Sequence, residues 1–170
     1  MMRINISVCG SDGDDEKLEN HPLEVAEIVG RGIARRGGVL ICGGRSGIME
    51  AACRGVRSEG GISIGILPYT KKEANAFIDI GIPTALGHKR NYLVVNSGDV
   101  IIAIGGRWGT LNEISYAMIL QKPLILIKGT GGCVDEIITG NIMNHVESTY
   151  HVVESGEEAV EKAFEFLQLL

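Results

Sequence analysis

No stretch of this 170-residue chain approaches the ~18 consecutive apolar residues that a membrane span requires. The opening Met1-Met2-Arg3-Ile4-Asn5 lacks the long apolar region of a secretory leader, so the expected location is the cytoplasm. Excess basic charge is missing too. The formal net charge of −5 argues against general nucleic-acid binding, where a basic face supplies most of the affinity. A small phosphorylated ligand needs only a local positive patch and stays open. The four cysteines, Cys9, Cys42, Cys53 and Cys133, form no CxxC pair and no zinc-finger spacing with histidine. They read as buried thiols in a reducing compartment, and no metal site is expected. Repeats, low-complexity tracts and linkers are also absent, which predicts one domain over residues 1–170.

Glycine, in contrast, is abundant: 24 residues, about twice average usage. Many of these glycines directly follow short apolar runs. Ile4 to Cys9 alternates like a strand and meets Gly10-Ser11-Asp12-Gly13. Pro22 opens a helical pattern through Leu23, Ala26, Val29 and Ile33, closed by Arg35-Arg36-Gly37-Gly38. Val39–Cys42 and Ile62–Leu67 read as strands, with a helix starting near Ile48 between them. Residues 69–76 read as a polar loop, Phe77–Ile80 as a short strand and Lys89–Ser97 as a helix. Val100–Ile104 and Leu124–Ile127 are unbroken apolar runs, the mark of strands buried on both faces. A helix through Leu111, Ile114 and Met118 lies between them. Tyr150–Val153 is a last strand and Glu157–Leu170 a closing helix. Such alternation predicts a single α/β Rossmann-like domain, with a mostly parallel sheet of 6–7 strands and helices on both faces.

Two strand–glycine–helix junctions carry most of the chemistry. One is Gly43-Gly44-Arg45-Ser46-Gly47 and the other Gly105-Gly106-Arg107-Trp108-Gly109-Thr110. A helix start exposes unpaired N–H groups with partial positive charge, and glycine lets a ligand approach them closely. Each junction is therefore a candidate anion site, with Ser46 and Thr110 as hydroxyl donors and Arg45 and Arg107 as added charge. Neither matches GxGxxG, and neither ends in the GK[ST] of a P-loop. A tight structural turn is the competing reading of each.

Glu113 follows Thr110 by one helical turn. It reads either as a capping-box partner of a threonine N-cap or as a carboxylate at the mouth of the phosphate site. Arg90, in His88-Lys89-Arg90-Asn91, points at the same strand ends or belongs to a solvated basic face. Trp108 offers an indole to stack on a flat ring, or packs at an oligomer interface. The helix that follows is apolar on several sides, which suits a partner or the monomer's own core.

These residues resemble the cytokinin-activating phosphoribohydrolase family, also called LOG or "lysine decarboxylase-like", over nearly the whole chain. The family motif PGGxGTxxE is matched by Gly105, Gly106, Gly109, Thr110 and Glu113, with Arg90 at the position of the family's upstream arginine. Gly43 to Met49 is similar to the family's GGGxxGLMG segment. Ile104 replaces the motif's proline, two residues (Arg107 and Trp108) stand where the motif has one, and Asn91 replaces a lysine. In these departures the chain is similar to a side branch typified by the molybdenum cofactor carrier protein, which binds a phosphate-bearing pterin without turning it over.

The resemblance implies one of two functions. In the first, a nucleoside 5′-monophosphate is hydrolysed to free base and ribose 5-phosphate, with Glu113 and Arg90 catalytic and Gly105–Thr110 holding the phosphate. In the second, the chain carries or senses a phosphorylated heterocycle such as the molybdenum cofactor. Either way the expected ligand is a nucleotide monophosphate or that cofactor, and no further cofactor is required. The resemblance also implies a homo-oligomer, dimer or tetramer. Lysine decarboxylation is not expected, because nothing around Lys128, the lysine nearest a strand end, suggests a pyridoxal phosphate site.

Overall fold

The short β-branched runs become the strands of one sheet in the computed structural model, which describes residues 3–140 and 149–168. The strands are β1 (Asn5–Gly10), β2 (Val39–Cys42), β3 (Ile62–Leu67), β4 (Ile80–Pro83), β5 (Val100–Ile104), β6 (Leu124–Ile127) and β7 (His151–Val153). Their spatial order is β4-β3-β2-β1-β5-β6-β7, and every neighbouring pair is parallel. The helices are α1 (Asn20–Arg35), α2 (Ile48–Ser58), α3 (Asn91–Ser97), α4 (Trp108–Ile119), α5 (Gly132–Ile138) and α6 (Gly156–Gln168). This is the α/β Rossmann-like architecture that the alternation of strands and helices predicts.

Period-two alternation splits the core. Ile6, Val8, Ile102 and Ile104 face α1, α2 and α6, while Cys9, Ile101 and Ala103 face α3, α4 and α5. On the first face α1 and α2 touch backbone to backbone: a Cβ on Gly30 would collide with the Ala52 carbonyl, and one on Gly55 with the Glu27 carbonyl. Ser7 is the polar exception within β1, and its hydroxyl donates to the Val94 carbonyl at 2.6 Å, tying α3 to the sheet.

Three predicted elements need correction and one helix was not predicted. Phe77–Ile80 is not a strand; pairing begins at Ile80. The Asn75 side chain accepts from the Phe77 N–H at 3.0 Å, and the Asp79 carboxylate accepts from the Ser63 N–H at 2.8 Å. These side-chain bonds hold 75–79 as a turn and delay the ladder. Lys89 and Arg90 belong to a 3-10 turn, Gly87–Arg90, and the α-helix starts at Asn91. Helix α5 was hidden by the glycines before it. The closing helix runs from Gly156, and Leu170 lies outside the described residues.

Candidate functional site

Strand order alone locates a crevice. The chain winds outward from β1 to β4, then crosses to β5 on the other side of β1. Beyond the carboxyl ends of β1 and β5 the two following loops diverge, and ligands of open α/β sheets bind at such a switch point. Ser11 to Asp15 follow β1, and Gly105 to Arg107 follow β5.

The Gly105-Gly106 corner is fixed from both sides. The Gly105 N–H donates to the Thr130 hydroxyl at 2.9 Å, and the Gly106 N–H donates to the Ser11 hydroxyl at 3.0 Å. The Gly106 carbonyl accepts from the Cys133 N–H at 2.7 Å. Gly106 has φ 97°, and a Cβ there would strike the Thr110 side chain, so only glycine fits. The amides of the two glycines are thus spent on the fold. Those left for a ligand are the next ones. Arg107 is the N-cap of α4 and no side chain caps the helix, so the N–H groups of Trp108, Gly109 and Thr110 have no intrahelical acceptor. Thr110 lies inside the first turn and Glu113 beyond it, so the capping-box reading of Glu113 does not hold.

Gly109 and Thr110 line a cavity of about 200 Å³ together with Ser11, Arg45, Arg90 and Glu113. Glu113 is 8% exposed and its carboxyl is pushed up to about 7 by burial, against the hydrogen bond from Cys9 and the charge of Arg90. Burial and the neighbouring Glu113 push the Cys9 thiol well up. Arg90 is 6% exposed, and burial lowers its pKa against the raising effect of Glu113. Its Nε donates to the Ile66 carbonyl at 2.8 Å, Nη1 to Gly87 at 3.2 Å and Nη2 to Gly43 at 3.4 Å. Arg90 is therefore no part of a solvated face. Its donors clasp three backbone carbonyls while its charge acts on Glu113.

Arg107 leaves the helix start and pairs with Asp14, with Asp15 3.8 Å from its Nε. It forms a shared wall between the 200 Å³ cavity and a larger one of about 680 Å³, lined further by Lys17, Thr130 and Asp135. Trp108 is 84% exposed. On the same helix Ile114 and Ala117 are buried in the core, whereas Ile119 faces outward. The helix thus serves the core on one side and leaves an apolar surface on the other.

The Gly43–Gly47 junction is built differently. The Ile48 N–H donates to the Ser11 carbonyl at 2.9 Å, so the first amide of α2 is already used. Ser46 hydrogen-bonds Asp12, and Arg45 pairs with Asp12 at 3.1 Å. Asn75 Nδ2 donates to the Arg45 carbonyl at 2.8 Å and to the Gly44 carbonyl at 3.2 Å. Gly43, Gly44, Ser46 and Gly47 form a joint between three loops, and from this junction it is Arg45 that reaches the cavity. Ser11, Cys9 and Thr130 were not singled out from the sequence. The signal available was their position at the ends of β1 and β6. Among the described residues no group of three or more His, Cys, Asp or Glu side chains is arranged to hold a metal, and no helix is long and apolar enough to cross a membrane.

Comparisons with known proteins find a family and the same fold. The model of the SLOG cluster4 family matches residues 3–160. An Archaeoglobus fulgidus protein is 40% identical over 135 residues, 76% of this chain and 87% of that one. The cytokinin riboside 5′-monophosphate phosphoribohydrolase of Mycobacterium tuberculosis is 29% identical over 119 residues, 64% of each chain. Among solved structures, the molybdenum cofactor binding protein from the phototrophic bacterium Rippkaea orientalis superposes with a TM-score of 0.86 at 34% identity, covering 98% of this chain and 99% of that one. The molybdenum cofactor carrier protein of Chlamydomonas reinhardtii gives a TM-score of 0.81 at 29% identity, over the same shares of the two chains.

Proposed function

Since the chain belongs to the SLOG cluster4 family, a LOG-like family, we propose that it binds and carries a small phosphorylated heterocycle, the molybdenum cofactor or a close chemical relative, at the β1–β5 switch point. One observation carries this reading: the uncapped start of α4 opens onto an arginine-bearing cavity. Amides at a helix start, a positive end of the helix dipole and nearby guanidinium groups suit a phosphate. The adjoining 680 Å³ chamber is of the size that holds a drug-sized ligand. The exposed Trp108 indole is available to stack on a flat ring. Full-length likeness to the two molybdenum cofactor proteins supports carriage. The exposed Trp108, Tyr92 and Ile119 support a homo-oligomer, dimer or tetramer, and the expected setting is the cytoplasm.

Titration of the purified chain with molybdenum cofactor under anaerobic conditions tests the proposal, read by the quenching of Trp108, the one tryptophan of the sequence. Saturable binding at micromolar concentration or below is expected. Absence of binding, together with no phosphorylated ligand in the mass spectrum of the purified protein, would overturn it.

A second reading rests on Glu113. A carboxyl poised near 7 in the same cavity suits attack at a ribosyl carbon: ionised, it stabilises the oxocarbenium-like sugar while water adds and the base departs. In that mechanism Arg90 is a positioning residue that biases Glu113 toward its charged form, because its donors are committed to carbonyls. Release of free base from AMP, lost in Glu113→Ala, would establish turnover.

A further inference from the structure

Resting on the reading that a phosphorylated ligand enters this cleft, we infer that Asp14 is a built-in competitor for the ligand's phosphate. It holds Arg107 across the boundary of the two cavities until a phosphate replaces it.

Both cavities are lined by the same three residues, Ser11, Asp14 and Arg107. They are therefore two chambers of one cleft, and the wall between them is an ion pair. Its partners come from different loops. Asp14 lies in the loop after β1, whereas Arg107 is the N-cap of α4, directly before the uncapped amides. The two loops flank the switch point, so the pair spans the crevice from one rim to the other.

The two halves of the wall differ in commitment. The Asp14 side chain is 69% exposed and the Arg107 side chain 49%, so solvent screens their attraction. Asp15 stands behind at 3.8 Å, keeps 11% of its side-chain surface and is hydrogen-bonded by the Ser11 hydroxyl and the Lys17 amide. Asp15 is anchored in the loop and Asp14 is not. An arriving phosphate meets a guanidinium that is already oriented at the helix start and held by a loosely bound carboxylate. A phosphate dianion makes a stronger bidentate partner for arginine than one exposed carboxylate does. It also collects the free amides of Trp108, Gly109 and Thr110, which Asp14 leaves unused.

Exchange of Asp14 for phosphate has two effects. It opens the wall, so that the phosphate and the body of the ligand occupy adjoining chambers. It also sets a threshold: a ligand carboxylate only matches Asp14 at the guanidinium, whereas a phosphomonoester exceeds it in charge and in acceptor oxygens. Asp14 thus acts as a specificity-determining residue for phosphomonoesters.

The test uses the full chain, with calorimetric titration by molybdenum cofactor and by AMP. Asp14→Asn is expected to bind tighter by roughly threefold to fivefold, the worth of an exposed ion pair. Asp14→Glu returns the affinity to the wild-type value, and Arg107→Gln weakens binding at least tenfold. Without ligand, the melting temperature stays unchanged in Asp14→Glu and falls by no more than about 4 °C in Asp14→Asn, the worth of one exposed ion pair, which separates competition from damage to the fold. If the wild type binds but Asp14→Asn binds no tighter, the competitor is refuted and the proposed function stands. If the wild type binds neither probe, the proposed function falls and this inference falls with it.

Discussion

The Cys9 thiol, near the end of the central strand, is hydrogen-bonded to the Glu113 carboxyl on α4. The bond joins the middle of the sheet to the helix whose start opens the cleft. It also gives a buried carboxyl a partner in either protonation state, since a thiol both donates and accepts weakly. Glu113 is thereby kept inside the cavity wall at a pKa of about 7.

That pKa makes the fold pH-sensitive in a definite direction. Glu113 titrates near 7 when folded and near its ordinary 4.5 when unfolded. Between those values the native state holds a proton that the unfolded chain has released, so Glu113 stabilises the fold at the acid end. This contribution is lost as pH rises through the window, by about 3 kcal/mol in total, and then levels off. Glu113→Gln is expected to remove the slope and to be the more stable protein above about pH 7. Urea denaturation across the window checks this; parallel slopes in variant and wild type would refute it.

Arg90→Met is expected to destabilise the protein by about 3 kcal/mol or more, because the carbonyls of Ile66, Gly87 and Gly43 lose their donor. It also removes the cation that lowers Glu113, so the Glu113 titration moves above 7. Denaturant midpoints read the first effect; carboxyl titration by NMR in Arg90→Met reads the second, with Arg90→Lys, which keeps the charge, as the control in which Glu113 still titrates near 7.

The glycines of the second junction separate fold from binding. Gly106→Ala places a methyl on Thr110 at a φ of 97° and is expected to cost about 2 kcal/mol or more. Gly109→Ala meets nothing within 4 Å, sits in the first turn of α4 and is expected to keep or raise stability. Gly109 lines the cavity beside the free amides, so an added methyl is expected to lower ligand affinity by about tenfold, roughly the cost of a displaced contact. Equal effects of the two substitutions on melting temperature would contradict this division.

Trp108→Ala is expected to change stability by less than about 0.5 kcal/mol, as for a surface side chain without partners. Ligand affinity, sedimentation behaviour or both then report what Trp108 does. A shift in sedimentation with affinity intact would assign it to the subunit interface instead of the ligand.

Much of this was legible in the residues. Val100–Ile104 and Leu124–Ile127 could only be strands buried on both faces, and Gly105–Thr110 could only be a corner leading into a helix. Family motif positions brought Arg90, Thr110 and Glu113 to one cavity. The contribution of Ser11 was not legible, because it depends on β1 lying beside β5, a neighbourhood no local pattern states. The clasp made by Arg90 was hidden for the same reason: its acceptors lie on β3, in the 3-10 turn and in the loop after β2. Phe77–Asp79 reads as strand in the sequence because the hydrogen bonds that hold it in a turn come from side chains, which apolar periodicity does not record.

The backbone contact of α1 with α2 at Gly30 and Gly55 has a mechanical consequence. At these two crossings no side chain separates the helices, so neither can slide along the other without driving backbone into backbone. Across β1 from that pair, α4 starts uncapped at Arg107. The α1–α2 pair is thus the stiff flank of the sheet, and the free amides lie on the other side of the switch point.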